Sequence, residues 1–408
     1  MKKLLLILLC LPMIGFGQNI NRVKVYLDCW GCDGDFLQRE MPYIDFYQDA
    51  KTANLHIIVN AEISSNGGEI VTFRFIGVNE FENVDNTLTV DILPNTSNDS
   101  KRKEYLEVLK KGVYAYIIRS KSNNIASLSY LKNDTDEKEI EKDKWNNWSF
   151  RISTGGYLNG EESYSNSNSY ANLSTNRITQ ATKFTSNLYI NSSVSKYKFD
   201  DSEDVIVENK SKQANMTYVK SKGEHFSIGA IADYSQSTFR NYNGQYKLSP
   251  CIEYNTFPYS ESSEHRMSIL YGLSANYHNY IDTTVYLKNS ESFVSHLLEL
   301  SYQNSQTWGS FSFSINSNQI LDKNDLQKYN VRISSNIDWN IVKGLSLNYW
   351  AYINFDRAQI HLPLNGATYE EIILRQKELE SNYFYYINFG LSYTFGSMKN
   401  SVVNPRFN

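Results

Sequence analysis

The feature that most constrains the fold is the strict alternation of side chains in Tyr383–Phe395. Every second residue is apolar or aromatic, from Tyr385 to Phe395, and the residues between them are small or polar, from Asn388 to Thr394. A period of two residues is that of a β-strand with one apolar and one polar face. A long apolar face rich in aromatic residues is typical of a transmembrane barrel strand, whose other face lines the lumen.

The same alternation recurs over residues 147–397, where we identify about twelve strands. Their predicted positions are Trp148–Ser153, Ser167–Ile178, Lys183–Tyr197, a strand ending at Tyr218, Phe226–Tyr234, Tyr246–Tyr254, Met267–Tyr277, Phe293–Gln303, Ser310–Ile315, Val331–Ile337, Leu345–Phe355 and Tyr383–Phe395. The pattern predicts an all-β transmembrane antiparallel barrel of about 12 strands. With an even strand count both barrel termini are periplasmic, and the long connections 281–291 and 357–382 are extracellular.

The N-terminus has the pattern of a secretory signal peptide, residues 1–17. A basic start, Met1–Lys3, precedes an apolar run from Leu4 to Ile14, and small residues precede Gln18, where we expect cleavage. The alternative is an uncleaved anchor, but the run is shorter than the ~20 residues that a helical span needs. An exported chain with alternating strands predicts location in the cell outer membrane.

Residues 18–120 are predicted to form a periplasmic α+β domain with the element order β-α-β-β-β-α. Its helices are expected at Phe36–Gln48, with Asp33 as N-cap, and at Ser100–Arg119. A charged linker, 121–146, leads to the barrel, and 398–408 form a C-terminal tail. The formal charge of −4 provides no basic surface for nucleic acid, so we expect no nucleic-acid partner.

The cysteines Cys29 and Cys32 have the C-x-x-C spacing, in a chain expected to reach an oxidising compartment. One interpretation is a thiol–disulfide oxidoreductase centre, and the other, which we favour, is a small structural disulfide. No further ligands for a zinc site are apparent nearby. We predict no metal site, no cofactor and no catalytic residues.

Strand parity directs seven charged residues toward the barrel interior. They are Arg151, Asp233, Lys247, Glu253, Glu299, Arg332 and Asp338. Three are positive and four negative, whereas an ion-selective pore has a ring of one sign. The mixed set favours a narrow or filled lumen, and the alternative is a passive channel for small polar solutes.

Three further features of the sequence suggest functions at the barrel surface. Outward His296 and Ser317, with Asn279 nearby, suggest a less favoured outer-leaflet lipid hydrolase in which histidine is the base. The acidic cluster Asp200, Asp201, Glu203 and Asp204 is either solvated or binds cations that bridge lipopolysaccharide. Tyr369–Ser381 has the pattern of a short amphipathic helix that caps the barrel, plugs it or contacts a partner.

The overall layout resembles outer-membrane barrel proteins of the Bacteroidota. The resemblance in residues is carried by Leu391–Ser397, Val402–Phe407 and Asp28–Phe36. It implies a barrel with an N-terminal periplasmic α/β domain and no assigned activity. The expected function is therefore a non-enzymatic outer-membrane protein with a periplasmic interaction domain. The expected partners are membrane lipid and lipopolysaccharide, a periplasmic protein, and the barrel-assembly machinery, which would read Phe395 or Phe407.

Overall fold

The computed structural model describes residues 22–64, 67–120, 143–199, 202–262, 264–322, 327–342, 344–366, 368, 371, 374 and 376–395. The predicted signal peptide, most of the charged linker, and the tail 398–408 lie outside these residues. So do Asp200 and Asp201 of the acidic cluster. Among the described helices, none is both long and apolar enough to span a membrane.

Residues 22–120, which we call the N-terminal unit, form a five-stranded sheet with two helices. The strands are β1 (Lys24–Asp28), β2 (Asp45–Tyr47), β3 (Leu55–Ile63), β4 (Glu69–Gly77) and β5 (Asp85–Ile92), and the helices are α1 (Gly34–Glu40) and α2 (Asn98–Arg119). The sheet order is β2-β1-β3-β4-β5. Strand β1 is parallel to β2 and β3, and the remaining pairs are antiparallel.

One face of this sheet packs against α2 to form the hydrophobic core. Val25, Ile57 and Phe73 alternate onto this face and are fully buried. The hydroxyl of Tyr116 on α2 donates to the carbonyls of Phe75 (3.1 Å) and Val84 (2.6 Å). Burial raises the pKa of Tyr116 to about 12. These contacts fix α2 across the sheet and leave the opposite face free for other contacts.

The first helix is shorter than predicted. The side chain of Asp33 caps α1 as expected, accepting a hydrogen bond from the Phe36 amide (3.0 Å). The helix ends at Glu40 rather than near Gln48, and the chain then forms the unpredicted strand β2. Pro42 explains the early end, because a residue preceding proline is disfavoured in helical geometry.

Residues 148–393 form one twelve-stranded sheet. Its strands are β6 (Trp148–Gly160), β7 (Tyr164–Ile178), β8 (Thr182–Phe199), β9 (Ser202–Lys222), β10 (Phe226–Ser237), β11 (Tyr242–Asn255), β12 (His265–Tyr280), β13 (Ser290–Gln306), β14 (Gly309–Ile320), β15 (Tyr329–Val342), β16 (Leu345–Asp356) and β17 (Tyr383–Tyr393). Each strand pairs antiparallel with the next in sequence. The predicted strand count and antiparallel arrangement are confirmed.

The predicted closure of the barrel is not present. Strands β6 and β17 are the two edges of the sheet, and neither pairs with the other along its described length. Side-chain alternation and short hairpins encode pairing between strands that follow each other in the chain. Closure joins the first strand to the last, a non-local contact that neither signal specifies.

The sheet has two distinct ends, which we call the turn end and the loop end. The connections 179–181, 223–225, 256–264, 307–308 and 343–344 lie at the turn end. The connections 161–163, 200–201, 238–241, 281–289, 321–328 and 357–382 lie at the loop end. The two long connections predicted from the sequence therefore share one end. At the acidic cluster, β8 extends to Phe199 and β9 begins at Ser202, and the two residues between them lie outside the described part of the chain.

Candidate functional site

The seven charged residues predicted to point inward all lie on one face of the sheet. The registers pair Asp233 with Lys247, and Asn316 is opposite both Glu299 and Arg332. The same face carries Arg151, Glu253 and Asp338. We call it the polar face. Whether these residues line a closed lumen stays a prediction.

The charges on the polar face make local contacts with neutral side chains. Asp233 Oδ1 accepts a hydrogen bond from Asn215 Nδ2 (2.7 Å). Asp338 Oδ1 accepts from Asn348 Nδ2 (2.6 Å), and Glu253 Oε1 accepts from Asn255 Nδ2 (2.9 Å). Arg332 places its guanidinium 5.8 Å from the ring centre of Tyr352. The face is therefore internally bonded rather than arranged as a ring of one charge sign.

The connection 357–382 folds across the loop end. The amide of Val285 donates to the Leu362 carbonyl (2.8 Å), and the amide of Leu364 donates to the Thr283 carbonyl (2.8 Å). The side chain of Asn241 donates to the His361 carbonyl (2.8 Å). These bonds join the connections 238–241, 281–289 and 357–382 into one layer, which we call the loop cover.

An ionic cluster holds the second half of this connection. Glu378 Oε2 lies 3.0 Å from His361 Nε2 and 3.4 Å from Arg240 Nε. Within the predicted helix Tyr369–Ser381, residues 369, 370, 372, 373 and 375 lie outside the described part of the chain, and residues 376–381 are not helical. That part of the prediction is wrong, because contacts with the neighbouring loops override the local apolar spacing.

A cavity of about 310 Å³, which we call the chamber, lies between the loop cover and the polar face. Its walls come from strands β10 to β16, so the sheet curves around its polar face. One wall is a cluster of buried rings: the centre of Tyr242 lies 5.2 Å from His278 and 5.0 Å from His361. Gln245 Nε2 lies 2.9 Å from His278 Nε2.

The N-terminal unit covers the turn end with the face of its sheet that α2 leaves free. Arg74 donates to the Ser305 carbonyl (3.2 Å) and pairs with Glu264 Oε2 (3.2 Å). Beside it, Tyr26 Oη accepts from Asn340 Nδ2 (3.1 Å). From the adjoining loop, Lys51 Nζ donates to the Ile341 carbonyl (3.1 Å).

Burial at this contact, together with the neighbouring Asp338, raises the pKa of Asp28. Nearby on the polar face, a second cavity of about 440 Å³ is lined by Glu253, Glu299 and Arg266. Polar and charged groups thus line the cavity next to the N-terminal unit.

Cys29 and Cys32 form a disulfide at the end of β1. Trp30, inside this four-residue loop, is fully exposed. Cys251 is a free thiol on the polar face. The described residues contain no group of three or more histidine, cysteine or acidic side chains placed to hold a metal ion.

The arrangement expected for a rim hydrolase is not formed. Gln319, not Ser317, is directly opposite His296, and Ser317 is opposite Leu298. His296 Nδ1 instead lies 2.6 Å from the Tyr271 hydroxyl. Asn279 is six residues further along β12 than the partner of His296, a separation of roughly 20 Å. The prediction placed the β13–β14 turn too early, which shifted the pairing by two residues.

The remaining acidic residue with a described side chain is Asp204. It forms an ion pair with Lys196 (2.6 Å), which neutralises part of the charge of the acidic cluster.

Sequence reasoning missed the residues that organise both ends. Arg74 had a usable signal, because a charged side chain interrupts the apolar strand Ile70–Gly77 at a position facing away from the core. His361 and Glu378 had none, since they lie in a connection without periodicity.

No protein-family model matches this chain, and no curated protein matches it. Among solved structures, the chain is similar to the translocator domain of autotransporter NalP from Neisseria meningitidis. The sequences are 9% identical, the match covers 61% of this chain and 82% of that chain, and the TM-score is 0.21.

Proposed function

We propose that this chain is a non-enzymatic outer-membrane β-barrel protein with an interaction unit in the periplasm. The observation that carries the proposal is the face of the twelve-stranded sheet opposite the polar face, which we call the apolar face. It exposes large apolar side chains such as Leu248, Ile252 and Leu273. Exposing an apolar surface of this extent to water costs free energy, and contact with lipid removes that cost. In the membrane, β6 and β17 would pair with each other, because unpaired backbone groups are costly in lipid.

The orientation follows from the two ends of the sheet. In bacterial barrels short turns are periplasmic and long loops extracellular. We therefore propose that the turn end and the N-terminal unit lie in the periplasm and that the loop cover lies outside. We propose that the N-terminal unit binds a periplasmic protein, that the apolar face contacts lipid and lipopolysaccharide, and that the assembly machinery recognises the C-terminal strand.

The lumen is proposed to be obstructed. The N-terminal unit covers one end through Arg74, and the loop cover spans the other through His361 and Glu378. A passive channel for small polar solutes is the second candidate, favoured by the two cavities against the polar face. We propose no hydrolytic activity, since the register separates Ser317 from His296.

Single-channel recording distinguishes the two candidates. The protein is refolded, its folding is checked by a heat-modifiable gel shift, and it is inserted into a planar bilayer. We expect a folded barrel without conductance steps. Discrete steps of reproducible size would overturn the obstructed lumen and favour the channel.

A further inference from the structure

Strand β5 is a long free edge of the sheet in the N-terminal unit. It pairs with β4 on one side, and no strand of the described chain lies on its other side. The pairing with β4 runs without a bulge from Asp85 to Ile92. Backbone N–H and C=O groups therefore point outward along the whole edge. Such an edge is a template for one further strand.

The two edges of this sheet differ in their protection. The opposite edge is β2, which has three residues, and a very short edge strand offers little to a partner. Longer edges are usually shielded by proline, by a bulge or by lysine, and β5 has none of these. Its charged residues, Asp85 and Asp91, lie near its two ends, and the uncharged residues between them are exposed or half-buried. The middle of β5 is therefore open to pairing.

An antiparallel second copy of β5 would preserve the two faces of the sheet. Leu88 and Val90 lie on the core face, and Thr87 and Thr89 lie on the face toward the barrel. Two antiparallel copies are related by a two-fold axis perpendicular to the sheet, and directly opposite residues point to the same face. Core-face residues then meet core-face residues, so the register can change only in steps of two residues.

Charge and length select one of these registers. Centred on Thr89, the pairing covers residues 86–92 and opposes Thr87 to Asp91 of the second copy, with no like charges directly opposite each other. Centred on Leu88, it would oppose Asp85 to Asp91, which is unfavourable because both are carboxylates. Centres further along the strand in either direction shorten the pairing. The register centred on Thr89 is therefore the expected one.

The position of the N-terminal unit allows both copies to lie in one membrane. Its sheet covers the turn end with one face, so an axis perpendicular to the sheet runs roughly along the barrel and keeps both copies in the same orientation. Arg74 on β4 contacts Ser305 at the end of β13, and β5 lies one strand further from β1 than β4 does. The two β4 strands would be three strand spacings apart, about 14 Å, which leaves room for the side chains of two barrel walls.

We propose that β5 pairs antiparallel with β5 of a second copy of this chain, so that the sheets of two N-terminal units join into one. The inference rests on the proposed function, which places both copies in one membrane. It names a partner for the interaction unit, a second copy, and the strand that binds it.

Disulfide crosslinking between copies tests the pairing in a Cys251→Ser background. Thr89→Cys places a thiol beside the two-fold axis, with the two Cβ atoms ~4.5–5.5 Å apart. Thr87→Cys is the matched control on the same strand and face, because its two copies would be four residues apart along the strands, roughly 13 Å. Both variants are oxidised in isolated outer membranes and separated without reductant. We expect Thr89→Cys to give a dimer roughly tenfold more efficiently than Thr87→Cys, whose separation a disulfide cannot bridge.

A second measurement uses sedimentation of the full chain in detergent. Thr89→Lys opposes two ammonium groups at the axis and should raise the dimer dissociation constant up to about fivefold, whereas Thr89→Val keeps a β-branched side chain and should not. Equal dissociation constants for these two variants would overturn the pairing. So would a membrane-inserted, heat-modifiable protein that crosslinks at neither position, or equally at both. A chain that does not insert would overturn the proposed function together with this inference.

Discussion

Replacing Arg74 by methionine should loosen the N-terminal unit from the turn end. Arg74 is 8% exposed, and its guanidinium bonds to the Ser305 carbonyl and the Glu264 carboxylate, both at 3.2 Å. Methionine keeps a long apolar stem and removes all donors. The bond from the buried cation to a carbonyl contributes about 1.5–3 kcal/mol.

The ion pair adds less, because the Glu264 side chain is 42% exposed and solvent screens it, and we assign it at most about 1 kcal/mol. The sum is about 1.5–4 kcal/mol, which shifts the attached–detached equilibrium roughly 10- to 700-fold. Tyr26 and Lys51 keep their bonds, so the unit remains folded and partly attached.

Hydrogen exchange on the full chain measures this shift. Amides in residues 304–310, next to Ser305, should exchange at least tenfold faster in Arg74→Met, and those of α2 should not change. Glu264→Gln should have a smaller effect. Arg119→Met is the control, because within the described residues the Arg119 side chain donates only to the Ala115 carbonyl of its own helix (3.2 Å). Equal exchange of residues 304–310 in Arg74→Met and the wild type would refute the assigned contact.

Three further predictions concern the N-terminal unit. Gly112→Ala should destabilise it by about 1–3 kcal/mol, because the added methyl group would overlap the Phe75 ring, whereas Gly34→Ala, with open space around it, should not. Denaturant unfolding, monitored by hydrogen exchange of the α2 amides, compares the two variants. Equal stability would contradict the packing of α2 against Phe75. Tyr116→Phe removes the hydroxyl bonds to the Phe75 and Val84 carbonyls and should lower the free energy of unfolding by about 1–2 kcal/mol in the same assay. An unchanged free energy of unfolding would argue against the two bonds. The pKa of Asp28 is raised in the attached state, so that state binds more protons than the detached one. Attachment is therefore strongest below the ordinary aspartate pKa and weakens as pH rises through the raised pKa. Asp28→Asn should slow amide exchange of residues 304–310 at pH 7 and remove this pH dependence, and faster exchange in this variant would contradict the sign.

The sequence was sufficient for those features that depend on neighbouring residues. Strand parity placed all seven charged residues, from Arg151 to Asp338, on one face, because alternation within a strand and pairing across a hairpin are both local. The turn between β13 and β14 was predicted within two residues, and that small error was enough to separate Ser317 from His296. Site geometry therefore needs a register that alternation alone does not provide.

The features that the sequence did not predict are contacts between distant segments. The N-terminal unit reaches the turn end through Arg74 and Ser305, which are far apart in the chain. The chamber needs a loop residue, His361, and strand residues such as Asn330. Neither periodicity nor capping encodes such contacts. Strand β2 was missed for a local reason, since three residues are too few to show a period.

Closure of the twelve-stranded sheet in the membrane, by pairing of β6 with β17, is what makes the chain a transmembrane barrel. Disulfide crosslinking tests it in a Cys251→Ser background, because directly opposed residues of paired strands have Cβ atoms ~4.5–5.5 Å apart. Ser153→Cys on β6 is combined in turn with Phe384→Cys, Tyr386→Cys, Asn388→Cys and Gly390→Cys on β17, all polar-face positions. We expect efficient crosslinking at one position or two adjacent ones in isolated outer membranes. Absence of crosslinking at all four positions in a membrane-inserted, heat-modifiable protein would contradict a closed barrel.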